Sequence, residues 1–131
     1  MTDGQFNPYE ALGGAERVQA IVDDFYAYMD REPSVAGIRR LHPADLAGSI
    51  EKLFMFMSGF LGGPPLYFER FGHPRLRMRH LPFPIGETER DQWMECMTWA
   101  LERHVADDGL RAWLIDRLAQ TADFMRNQTA P

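Results

Sequence analysis

Apolar residues recur at three- and four-residue intervals along four stretches of the chain, and nowhere do they sustain the alternation that a half-buried strand requires. Between residues 15 and 31, Val18, Ile21, Val22, Phe25, Tyr26 and Met29 share one stripe, while Asp23, Asp24 and Asp30 fall mostly outside it. The second stretch, 45–61, carries Leu46, Ile50, Leu53, Met57, Phe60 and Leu61, with Phe54 and Phe56 widening the apolar face, and Gly62-Gly63-Pro64-Pro65 stops it abruptly. Over 88–104 the aligned positions are Trp93, Met97, Ala100, Leu101 and His104, with Glu89 and Asp91 early in the helix, where its dipole favours acids. A last stretch, 109–126, runs through Leu110, Trp113, Leu114, Leu118, Thr121, Phe124 and Met125, with Asp107 or Asp108 as its cap. The pattern predicts an all-α fold. Residues 66–86 hold three prolines and two glycines and read as a mostly irregular, site-building loop with one short helix over 74–80. Pro74 suits the first turn of that helix, and Pro82 lacks the N–H needed to extend it.

Composition narrows the class. A chain of 131 residues with 45% hydrophobic content fits one domain over 1–131, with flexible ends at 1–7 and 127–131 and a core large enough to surround an apolar ligand. The net charge of −5 argues against nucleic acid as a partner, because only residues 75–79 form a basic cluster. No stretch approaches the roughly 18 apolar residues of a membrane span, and the N-terminus lacks a basic region followed by an apolar run. Cys96 is the only cysteine and falls on the apolar helical pattern, so it reads as buried packing in a reducing, cytoplasmic setting.

Residues 71–83, Phe-Gly-His-Pro-Arg-Leu-Arg-Met-Arg-His-Leu-Pro-Phe, concentrate two histidines and three arginines in an otherwise acidic chain. At the end of its short helix, neutral His80 can bind a metal through Nε2 while Nδ1–H is held by the Leu76 carbonyl one turn earlier. Helices rich in methionine and phenylalanine around such a histidine suit a flat apolar ligand with a charged rim, which is the shape of haem: an iron, an apolar ring and two propionates. A lone histidine is more often structural, and Tyr26, Trp93 and the arginines each have an ordinary packing or solvated reading. His42 can merely cap its turn, His73 is a loop residue or a propionate neighbour, and His104 suits a helix C-terminus.

Tyr9 to Gly14, Phe25-Tyr26, Asp45-Leu46-Ala47-Gly48, Gly62-Gly63-Pro64, Phe71 to His80 and Glu89-Arg90-Asp91-Gln92-Trp93 together resemble the group II truncated haemoglobins, over about residues 8–126. The resemblance implies a two-over-two helical sandwich around haem b. It makes His80 the proximal iron ligand and places Tyr26, His42 and Trp93 on the opposite, ligand-binding side, each as a hydrogen-bond donor. Ser49 stands where larger globins carry a distal histidine, and Leu53 lies over the haem. Phe56, Leu76, Phe83 and Met97 are the expected walls, with Arg75, Arg77 and Arg79 near the propionates. Expected ligands are dioxygen, carbon monoxide, nitric oxide or peroxide, in a monomer or weak homodimer. The alternative is a peroxidase-like or nitric-oxide-detoxifying enzyme served by an external reductase. A helical interaction module without cofactor is the reading from a third class.

Overall fold

In the computed structural model, which describes residues 7–127 apart from the side chain of Arg77, all regular elements are helical. The long ones follow the periodic stretches: α2 (Ala15–Arg31), α4 (Ala47–Phe60), α7 (Glu87–His104) and α8 (Asp108–Phe124), after α1 (Pro8–Leu12) and a short α3 (Ala36–Arg40). Helix α2 lies on both α4 and α7, and α7 packs in turn on α8. Every residue of the first predicted stripe is buried. Helix α4 behaves differently: Met55, Met57 and Ser58 face the interior, whereas Leu53, Phe54, Phe56 and Phe60 remain half-buried. An apolar face left partly uncovered on a central helix borders a cleft rather than a core.

Elements under seven residues escaped the periodic reading. The 66–86 stretch is less irregular than expected, because Leu66–Phe71 forms helix α5, started after Pro65 and ended by Gly72 at φ +81°. Six residues hold too few turns to show a period. Helix α6 spans only Leu76–His80, so Pro74 lies before it and not in its first turn. The reason is Arg75, whose φ of +48° puts a side-chain-bearing residue in the left-handed region. Its N–H donates to Nδ1 of His73 at 3.0 Å, which offsets part of that strain.

Tertiary hydrogen bonds hold the frame. Asp107 is the cap of α8, accepting from Leu110 N–H at 2.8 Å. His104 does more than meet a helix dipole: its Nε2 lies 2.6 Å from Asp24 of α2. Glu95 accepts from the hydroxyls of Tyr28 and Ser34, both at 2.6 Å, and this bond pushes the Tyr28 phenol up to about 12. The double glycine before Pro64 is a seat for α1. Gly62 needs φ +96°, and a Cβ at Gly63 would collide with the Tyr9 ring. Asn7, expected in a flexible end, is anchored by Nδ2 donating to Gly62 O at 3.1 Å while its Oδ1 caps Glu10 N–H. Asn127 is likewise tied down; the rest of both expected flexible ends lies outside the described residues. No helix among the described residues is long and apolar enough to cross a membrane.

Candidate functional site

Two groups of side chains make up the site. The first gathers on α2, α7 and the turn after α3. Phe25 holds Tyr26 and Trp93 edge-on, with ring centroids 4.8 and 5.1 Å away, and Tyr26 stands edge-on to His42 at 5.7 Å. Tyr26 is only 6% exposed. Its hydroxyl finds no hydrogen-bond partner among the described residues, and neither does the indole N–H of Trp93. Burial, with Cys96 adding to it, pushes the Tyr26 phenol far above its usual range, so the hydroxyl keeps its proton and remains a donor. Both groups therefore remain available to donate to a ligand that enters beside them.

His42 differs from the sequence reading in one chemical respect. Its Nδ1 lies 2.9 Å from the Ile38 carbonyl, which can only accept, so in the neutral ring the proton sits on Nδ1 and Nε2 carries a lone pair. Neutral His42 therefore offers the site an acceptor, not the expected donor. The i−4 relation used for His80 was available here too. Burial holds its pKa below the usual 6.5, with Arg39 and His80 adding to the effect against the Ile38 bond. A histidine with a lowered folded pKa leaves the unfolded chain binding more protons. Its share of stability is complete above about 6.5 and is lost as pH falls through that value towards the folded pKa. Thermal unfolding followed against pH is expected to show a decline below about 6.5 that His42→Phe reduces; an identical slope in the variant would count against a buried neutral ring.

The second group is built on α6 and the cleft beside it. His80, half-buried at the end of α6, has Nδ1 2.6 Å from Leu76 O, the tautomer lock that the spacing implied. Beside it opens a cleft of about 700 Å³ walled by Phe56, Phe60, Leu76, Met78, Phe124 and Met125, with His73, Arg75 and Arg117 among its polar lining. Met78 and Phe124 are 58% and 61% exposed, unusual for side chains of that size unless something apolar covers them. Of the expected cofactor contacts, Phe56, Arg75 and Leu76 line this cleft. Phe83 is exposed on the loop after α6, Met97 is wholly buried in the core, and Arg79 is exposed with its Nε donating to Pro74 O at 2.7 Å. The Arg77 side chain lies outside the described residues. Ser49 and Leu53 are half-buried on α4. The α8 wall went unrecognised in the sequence, although Arg117, Thr121 and Phe124 share one helical face by their spacing. Apolar walls, the two arginines Arg75 and Arg117 and an imidazole with a committed Nδ1 fit a haem.

Comparison with known proteins places this geometry. The model of the bacterial-like globin family matches residues 7–127. Group 2 truncated hemoglobin YjbI of Bacillus subtilis (strain 168) is 44% identical over 123 residues, covering 93% of this chain and 89% of the relative. The group II 2-on-2 hemoglobin of Agrobacterium tumefaciens superposes with a TM-score of 0.93 at 40% identity, over 99% of this chain and 100% of that one. The truncated oxygen-avid haemoglobin of Bacillus subtilis gives a TM-score of 0.83 at 41% identity, over 93% of this chain and 100% of its own.

Proposed function

Because the chain belongs to the bacterial-like globins and, among them, to the group II truncated haemoglobins with their two-on-two helical fold, we propose that it binds dioxygen and related diatomic ligands reversibly at the iron of a haem b held by His80. Globins bind small gaseous ligands. Haem, when bound, supplies the iron on which such a ligand is held. The observations that carry the reading are the Tyr26 ring, edge-on to His42 with a hydroxyl that has no acceptor among the described residues, and a His80 whose Nδ1 proton is already committed to Leu76.

Each side chain has a distinct task. The Leu76 carbonyl keeps the His80 lone pair on Nε2 and makes it a stronger ligand. Tyr26 and Trp93 donate hydrogen bonds to a ligand that gathers negative charge, each worth about 1.5–3 kcal/mol when the partner is charged. Leu53 and Phe56 supply apolar cover on α4, and Ser49 leaves space that a larger residue would fill; Met97, fully buried, backs the core rather than the cleft. Arg75 and, from α8, Arg117 line the cleft and would supply positive charge for the propionates, with Arg79 nearby on α6. The oxygen-avid description of the Bacillus subtilis protein agrees with a donor-rich pocket. A buried free Cys96 suits a cytoplasmic protein.

The His42 tautomer favours a second reading. An acceptor nitrogen beside two donors is suited to a protic ligand: Nε2 can take a proton from hydrogen peroxide, breaking one O–H bond and leaving hydroperoxide anion. Turnover of peroxide or nitric oxide then requires an external reductase. Visible spectra of the purified protein, oxidised, reduced with dithionite and then exposed to carbon monoxide, test the first reading. A Soret band that moves at both steps is the expected result; no Soret band even after hemin is added would sink it.

A further inference from the structure

The loop that follows His80 cannot knit itself together. Pro82 and Pro84 carry no N–H, which leaves Leu81, Phe83 and Ile85 as its only backbone donors. Leu81 N–H turns back to Met78 O at 3.3 Å and Phe83 N–H to His80 O at 3.0 Å. The remaining bonds all run to one residue beyond α8. Asn127 donates through Nδ2 to His80 O at 3.2 Å and to Phe83 O at 2.8 Å. Its Oδ1 accepts from Ile85 N–H at 3.0 Å, and its own N–H donates to Ile85 O at 2.8 Å. One asparagine thus closes the loop at three residues, the first of them His80.

The base of this brace is firm. Met125, two residues earlier, is 7% exposed. Asp123 is held between Arg126 at 2.9 Å and Arg90 of α7 at 2.7 Å, which pins the end of α8 to the core helices. His80 is fixed at two points: its ring through Nδ1 to Leu76, and its carbonyl through Asn127 to α8. Helix α6 is five residues long, begins after a strained Arg75 and has little stiffness of its own. The backbone that carries the His80 ring is therefore anchored to the far end of α8.

We propose that Asn127 is a positioning residue for His80: by clamping the His80 carbonyl and the proline loop behind it, it fixes the orientation in which the imidazole meets iron. This rests on the reading of His80 as the iron ligand. Outer partners of a metal ligand typically affect metal affinity about 10–100-fold.

The test uses the reduced, ligand-free holoprotein. Resonance Raman spectroscopy reads the iron–histidine stretching band, and transfer of haem to an excess of a competing apoglobin reads haem loss. Asn127→Ala is expected to shift and broaden the band and to speed haem loss roughly tenfold. Asn127→Asp retains the acceptor for Ile85 and removes both side-chain donations, so it must act in the same direction, and it carries the test should the alanine variant not fold. Arg111→Ala serves as the control. It cuts the 2.7 Å bond to Val105 O near the start of α8 and softens the same helix at its other end. Its band is expected to stay in place. An unshifted band in both Asn127 variants, or an equal shift in Arg111→Ala, would overturn the positioning role while leaving His80 as the ligand. A wild-type band that survives His80→Gly overturns both.

Discussion

His80→Gly is expected to leave a folded protein that no longer retains haem through purification. The imidazole stands beside the cleft with its tautomer set for iron, because Nδ1 is engaged by Leu76 at 2.6 Å. Its removal should cost more than the roughly 10–100-fold associated with losing an outer partner of a ligand. Apolar cover from Phe56, Leu76 and Phe124 persists in the variant and will still attract the porphyrin weakly, so the readout is retention against a competing apoglobin, not hemin uptake alone. Free imidazole in the buffer should refill the gap and restore retention. That rescue separates loss of a ligand from loss of fold, and undiminished retention without imidazole would show that the iron is held elsewhere.

Trp93→Phe should keep the haem and release dioxygen faster. The substitution preserves an aromatic ring against Phe25, now 5.1 Å away, and deletes only the indole N–H, which has no acceptor among the described residues. A charge-assisted bond worth about 1.5–3 kcal/mol corresponds to roughly 10–150-fold in the dissociation rate. Stopped-flow mixing of the oxygenated protein with dithionite and carbon monoxide reads that rate. Because Tyr26 competes for the same ligand, Tyr26→Phe combined with Trp93→Phe should depart from the product of the single effects. An unchanged rate in Trp93→Phe would make the indole a packing residue.

The two histidines show how far local rules reach. The i−4 relation yielded the His80–Leu76 bond from spacing alone, since a residue at a helix end lies beside the carbonyl one turn back. The same relation joins His42 to Ile38, but the donor role expected of His42 comes from the family resemblance, and α3, five residues long, carries no period that announces it as a helix. Helix α4 marks another boundary. Its apolar residues were legible, but which of them face a cleft depends on where α6 and α8 run.

By itself the sequence determined the all-helical class, the buried stripe of α2, the stop at Gly62-Gly63 and the locked tautomer of His80. These follow from periods, breakers and neighbours within one turn, all governed by backbone geometry over a few residues. Only the tertiary structure decided that α8 walls the cleft with Arg117 and Phe124, that Asp24 meets His104, that Asn7 and Asn127 are anchors where flexible ends were expected, and that His42, its Nδ1 bound to Ile38, stands edge-on to Tyr26. Most of these join residues far apart in the chain. Their pairing is settled by how the helices cross, and no local pattern encodes it.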